Sequence, residues 1–120
     1  MCILILDDNR DLTQLLGLSL RGEGFQVMTF TSVIEALKNI HAADVLLTDY
    51  HMPEMTGLEV ARRAYAQGWR GSLYIMSGHS SAIREQVIHP LLCSILDKPF
   101  SPREFSKQLR APSIERKGPY

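Results

Sequence analysis

The chain has 120 residues, 45 % of them hydrophobic, which is enough for one packed domain and too little for several. Thirteen basic residues balance thirteen acidic ones, so no global field draws the protein to nucleic acid or to an anionic membrane, although the stretch after Pro102 leans basic. The longest purely apolar run, Met1 to Leu6, is far shorter than the roughly 20 residues of a membrane span, and no signal-peptide pattern follows it. The expectation is a cytoplasmic domain with no direct nucleic-acid or membrane partner.

Apolar runs of strand length alternate with segments of helical period. Cys2 to Leu6 is a run of aliphatic residues that stops at Asp7-Asp8, and Leu12, Leu15, Leu16 and Leu20 then recur at spacings of three and four, as one face of a helix requires. Phe25 to Phe30 reads as a second strand after the Gly22-Glu23-Gly24 break. Ser32 with Glu35 three residues on forms a capping box that opens a helix through Ile40. Ala43 to Thr48 reads as the third strand and Leu58 to Ala66 as the third helix, halted near Gly68. Leu73 to Met76 is the fourth strand, Ser80 to Ile88 the fourth helix, and Ser94 to Leu96 a short fifth strand. The final helix has the clearest start: Ser101, Pro102 and Glu104 hold the N-cap, first-turn and capping-box positions, and it ends before Pro112.

Strands that are apolar throughout, rather than alternating, argue for a parallel sheet covered on both faces. The chain therefore predicts a doubly wound α/β domain over residues 1–111, with a polar, disordered tail over residues 112–120 that is too short for a further domain. Either a whole small protein or a piece of a longer one fits. Cys2 and Cys93 lie in apolar segments without metal or redox spacing and read as buried thiols, with no disulfide. Trp69, between Gly68 and Gly71, reads as a loop residue partly capping the sheet. Met52 and Met55, which flank Pro53, read as packing residues.

Ligands of such folds bind beyond the carboxyl ends of the strands. Polar residues there are Asp7 and Asp8, Asp49, Ser77, and Asp97 with Lys98. Asp7, Asp8 and Asp49 would crowd at one edge, where like charges oppose ionisation unless a cation intervenes. A hard divalent ion such as Mg²⁺ suits oxygen ligands of this kind. Lys98 adds a point charge and Ser77 a hydroxyl, both fitted to phosphoryl oxygens. Carboxylate, metal, lysine and hydroxyl together describe phosphoryl transfer onto Asp49.

The same residues carry a resemblance to a known family. Asp7-Asp8, the stretch Asp49-Tyr50-His51-Met52-Pro53-Glu54-Met55-Thr56-Gly57, Ser77-Gly78 and Lys98-Pro99-Phe100 together resemble the receiver domains of two-component response regulators, over roughly residues 2 to 110. The resemblance implies a flavodoxin-like fold of five β/α units with strand order 2-1-3-4-5. It implies that Asp49 is the phosphoacceptor and that Asp8, the Asp49 carboxylate and the backbone carbonyl of His51 bind Mg²⁺, with Asp7 acting through water. Ser77 and Lys98 would contact the phosphoryl group, and Lys98-Pro99 would be a cis peptide. The implied partners are a sensor histidine kinase or phosphotransfer protein as donor, and a downstream protein or output domain as target. The protein would be a signalling domain that catalyses only its own phosphorylation and dephosphorylation.

Two features depart from the family pattern. Ile95 stands three residues before Lys98, where an aromatic is usual, and His89-Pro90 replaces the customary small-residue turn. A pseudo-receiver, acting as an interaction module without phosphorylation, is the alternative that Ile95 favours. A phosphatase that forms an aspartyl phosphate needs a second acid two residues after the nucleophile, and His51 is there instead. His51 and His79 lie two positions beyond the acceptor and the hydroxyl, and read as exposed loop residues.

Overall fold

The computed structural model describes residues 1–78 and 89–110. The expected fourth helix, His79 and the expected tail lie outside the described residues.

Strand β1 (Cys2–Leu6) is followed by α1 (Arg10–Gly22), β2 (Gln26–Phe30), α2 (Val33–Lys38), a single 3₁₀ turn (Ile40–Ala42), β3 (Val45–Asp49), α3 (Gly57–Ala66), β4 (Ser72–Ser77), β5 (Leu92–Asp97) and α4 (Pro102–Arg110). The strands form one sheet in the order β2-β1-β3-β4-β5, and every neighbouring pair is parallel. The fold is flavodoxin-like and doubly wound, as the continuous apolar strands predict.

Period-two geometry divides each strand between two cores. Leu4, Leu6, Leu46, Leu73, Ile75 and Ile95 face α2 and α3. Ile3, Ile5, Val45, Leu47, Tyr74 and Met76 face α1 and α4, whose Leu16, Leu20, Phe105 and Leu109 close that side. The interleaved register, with Leu4 opposite Leu46 and Leu46 opposite Leu73, keeps each face continuous across the sheet. Side-chain oxygens of Ser32, Thr56 and Ser101 accept first-turn amides at 3.4, 3.2 and 3.2 Å, so three helices start where the capping chemistry directs.

The structure corrects several expectations. The second helix ends at Lys38 rather than Ile40, where the Asn39 side-chain amide turns back to the Glu35 carbonyl at 2.9 Å and a 3₁₀ turn follows. The third strand begins two residues late and includes Asp49, which pairs with Met76. The two cysteines are free but half-buried, because Cys2 opens β1 and Cys93 lies on the edge strand β5. Trp69 is not a partial cap: it is 4 % exposed within the α2/α3 core, and its Nε1 donates to the Ala43 carbonyl at 2.8 Å. Gly71 makes room for it, since a Cβ there would stand 2.2 Å from the indole and 2.5 Å from the Asp44 carbonyl oxygen.

Candidate functional site

Four carboxyl strand ends converge. At the end of β1 the Asp7 amide donates to the Phe30 carbonyl at 3.2 Å, which carries the sheet pairing one residue past the strand and buries Asp7 to 1 % exposure. Asp7 Oδ1 then accepts the Asn9 amide at 3.0 Å, and this tight turn leaves Asp8 exposed beside it. Asp49 ends β3 with 7 % exposure. Immediately after it, the Tyr50 amide bonds the Met76 carbonyl at 2.9 Å, and the Gly57 amide returns to the Tyr50 carbonyl at 2.8 Å. The 51–56 segment is therefore a closed loop over the strand end. Only glycine permits this closure, because a Cβ on residue 57 would lie 2.4 Å from the Asp49 carbonyl oxygen.

Ser77, 1 % exposed, ends β4 opposite Asp97 of β5. One step further the Lys98 amide donates to the Ser77 carbonyl at 2.9 Å, and the Lys98-Pro99 peptide is cis. Lys98 Nζ lies 3.0 Å from Asp7 Oδ2 and 2.9 Å from Asp49 Oδ1. Asp7, Asp8 and Asp49 each offer an oxygen within 4.8 Å of the others. His51 is exposed in the closed loop, its ring set edge-on to Tyr50 at 4.8 Å, while Met52 and Met55 pack against the core.

The geometry brings together the sequence-predicted Asp7, Asp8, Asp49, Ser77 and Lys98, with His51 beside them. Its electrostatics are lopsided, as three carboxylates face one ammonium. Burial, and then the charges of Asp7 and Asp8, push the Asp49 carboxyl above its ordinary value against the pull of Lys98. Partial burial and a hydrogen bond with Asp7 push Asp8 the same way. Burial works against the Lys98 charge, but the bonds to Asp49 and Asp7 prevail and raise its pKa. An all-oxygen donor set with unbalanced negative charge fits a hard divalent cation.

Two neighbouring features escaped the sequence reading. Glu54 of the closed loop accepts the Val33 amide at 3.4 Å, placing a carboxylate on the first turn of α2. An apolar groove of about 450 Å³, lined by Leu12, Leu16, Lys98, Pro99 and Phe100 among others, adjoins the site. The leucine periodicity signals the first wall of this groove, but nothing in the sequence signals the Glu54 contact.

Comparison with known proteins agrees with this architecture. Residues 3–110 match the sequence profile of the family described as the response regulator receiver domain. The C4-dicarboxylate transport transcriptional regulatory protein DctD of Rhizobium meliloti is 28 % identical over 118 residues, covering 96 % of this chain and 26 % of DctD. The response regulator receiver protein CpdR of Brucella abortus is 29 % identical over 110 residues, covering 89 % of this chain and 92 % of CpdR. This chain spans 47 to 49 % of several other curated relatives. Among solved structures, the response regulator protein TrrA of Thermotoga maritima, in complex with Mg²⁺ and BeF, superposes with a TM-score of 0.78 at 25 % identity, over 91 % of this chain and 96 % of that one.

Proposed function

Because the chain belongs to the response regulator receiver domain family of two-component systems, we propose that it accepts a phosphoryl group on Asp49 and that this modification changes its affinity for a partner. The observation that carries the reading is the convergence of Lys98 Nζ, at 2.9 Å, and the Asp7 and Asp8 carboxylates on one buried nucleophile, Asp49. In this reading an Asp49 carboxylate oxygen attacks phosphorus while the bond from phosphorus to the donor's leaving nitrogen or oxygen breaks, leaving an acyl phosphate. Lys98 neutralises one non-bridging oxygen and Ser77 donates its hydroxyl to another. Asp8, Asp49 and the His51 carbonyl would hold Mg²⁺, with Asp7 reaching it through water. The ion would supply positive charge to the phosphoryl oxygens.

The donor is a sensor histidine kinase or a phosphotransfer protein, and the apolar groove beside Lys98 supports docking of such a protein next to Asp49. The receiver of the signal is a downstream protein or an output domain, and the place of action is the cytoplasm. The test is incubation with acetyl phosphate and Mg²⁺ followed by mass spectrometry. The parent gains one phosphoryl group, Asp49→Asn gains none, and an adduct of equal yield on another residue sinks the assignment. A parent that stays unmodified by any donor would instead favour an interaction module working without phosphorylation.

A further inference from the structure

His89 is 3 % exposed, an unusual burial for a residue in the turn that feeds a strand. Its carbonyl accepts the Leu92 amide at 3.1 Å, closing the turn, and its ring is used on three sides. Nδ1 accepts the Leu91 amide at 3.1 Å, so the proton of the neutral ring is on Nε2. The ring also meets Tyr65 of α3 edge-on at 5.6 Å, with the Ala61 backbone of α3 near enough to favour its proton. Arg70 covers the Tyr65 ring at 3.8 Å, and the Arg62 charge bears on the imidazole. Arg62, Tyr65 and Arg70 are thus the titratable or charged groups set against it among the described residues; Leu91 and Leu92 on the β5 side add none.

What this turn secures is the register of β5. The Leu73 amide bonds the Leu91 carbonyl at 2.8 Å. Leu73 then faces Leu92 whereas Tyr74 faces Ser94, so Cys93 is an extra residue that the pairing must absorb. Beyond it the ladder is regular to Ser77 opposite Asp97, and Lys98 follows. A slip of one residue would move Lys98 by about 3.3 Å and turn its side chain to the other face.

We propose that His89 is a proton-sensitive latch that fastens the start of β5 to α3 and thereby holds the strand register on which the placement of Lys98 depends. A proton on Nδ1 converts the acceptor of the Leu91 amide into a second donor pointed at it, and adds a positive charge near Arg62 in a closed site. Burial and then Arg62 oppose that charge and hold the imidazole below its ordinary value, against the smaller pull of the Ala61 backbone. Because the closed latch has the depressed pKa, its stability is present above the ordinary imidazole range near about pH 6.5 and is lost as pH falls below it. Acid opens the latch rather than charging it in place.

Heteronuclear NMR of the full chain tests this. At neutral pH the His89 ring should show the Nε2–H tautomer. On acidification the amides of Ala61, Leu91, Leu92 and Cys93, at the end of the sheet away from the acidic cluster, should shift with the His89 midpoint, which should lie below the ordinary imidazole value. Protection of the Lys98 amide against exchange, taken relative to the intrinsic rate at each pH, should fall over the same range. His89→Asn keeps an oxygen able to accept from Leu91 but takes up no proton, and should remove these pH-dependent changes. An Nδ1–H tautomer, a midpoint at the ordinary value with silent neighbouring amides, or the same shifts in His89→Asn would each overturn the proposal. Should His89→Asn fail to fold, the tautomer and the titration of the parent still decide.

Discussion

The two ends of the sheet are built from the same strands and settle their polar groups in opposite ways. At the amino ends, the Cys2 amide bonds Asp44 Oδ2 at 2.8 Å, the Asp44 amide and carbonyl bond Cys2 and Ser72 at 2.8 and 2.9 Å, and the Trp69 indole closes the seam on Ala43 at 2.8 Å. Asp44 is here a connector, its side chain taking one strand amide and its backbone two more partners. At the carboxyl ends, three acids cluster around one lysine that pairs with Asp7 and Asp49, and the carboxyls of Asp8 and Asp49 are pushed above their ordinary values. The lesson is a division of labour: one edge stitches the strands together, and the other gathers more carboxyl groups than its one lysine can balance, which a cation would offset.

The sharpest way to break the comparison is Trp69→Ala. It empties a buried indole site and leaves the Ala43 carbonyl without that donor, so a loss of about 3–5 kcal/mol is expected from urea denaturation. The acidic edge should keep its chemistry in the fraction that remains folded. Loss of Asp49 phosphorylation per folded molecule would show that the two edges are not separable.

Lys98→Ala attacks the other edge and should cost less, about 1–2 kcal/mol in the metal-free protein, because Lys98 is partly exposed and solvent softens the loss of the pair. Its signature is rescue. With a competing cation gone, Mg²⁺ should bind at least as tightly as to the parent, and at ten times its Kd it should return about 1.4 kcal/mol. Asp8→Ala should lose that return. If Lys98→Ala is not stabilised by Mg²⁺, the lysine is a structural pin rather than a counter-charge.

The charged edge was legible in the sequence and much of the stitched one was not, for a physical reason. Strands buried on both faces must be apolar throughout, so β1, β3 and β4 announce themselves, and a parallel topology then forces Asp7, Asp8, Asp49, Ser77 and Lys98 to one edge whatever the detailed packing. Side-chain type carries that information. Trp69 looked like a loop residue because glycines flank it, yet Gly71 is the position whose missing Cβ lets the indole lie in the core. His89 showed only as a departure beside Pro90, since its hydrogen-bond partners are the backbones of Leu91 and Leu92, and backbone groups leave no mark on composition. Cys2 and Cys93 read as buried from their apolar neighbours, but Cys2 stands at the first position of β1, and the exposure of Cys93 on the edge strand β5 is set by sheet order rather than local sequence.

The smallest expected effect also divides the two edges most cleanly, since it turns on sign. Asp49 and Asp8 have native pKa values above their ordinary ones, so the folded protein holds protons at a pH where the unfolded chain has released them. Stability from this edge is fully present below the ordinary carboxylate range and is lost as pH rises through the raised native values. His89 runs the other way, its contribution being lost as pH falls below the ordinary imidazole range. The two edges therefore pull the pH profile of the metal-free parent in opposite senses. Asp49→Asn should be more stable than the parent at neutral pH and fall more steeply on acidification, lacking the return from its carboxyl. His89→Asn should instead gain relative to the parent as pH drops. Saturating Mg²⁺ should steepen the acid limb of the parent, because bound cation favours the ionised carboxylates that protons would otherwise neutralise. Urea midpoints across this range, with and without the metal, measure all of these slopes. If Asp49→Asn flattens the profile and His89→Asn steepens it, the assignment of strain to the carboxyl edge and closure to the amino edge is reversed.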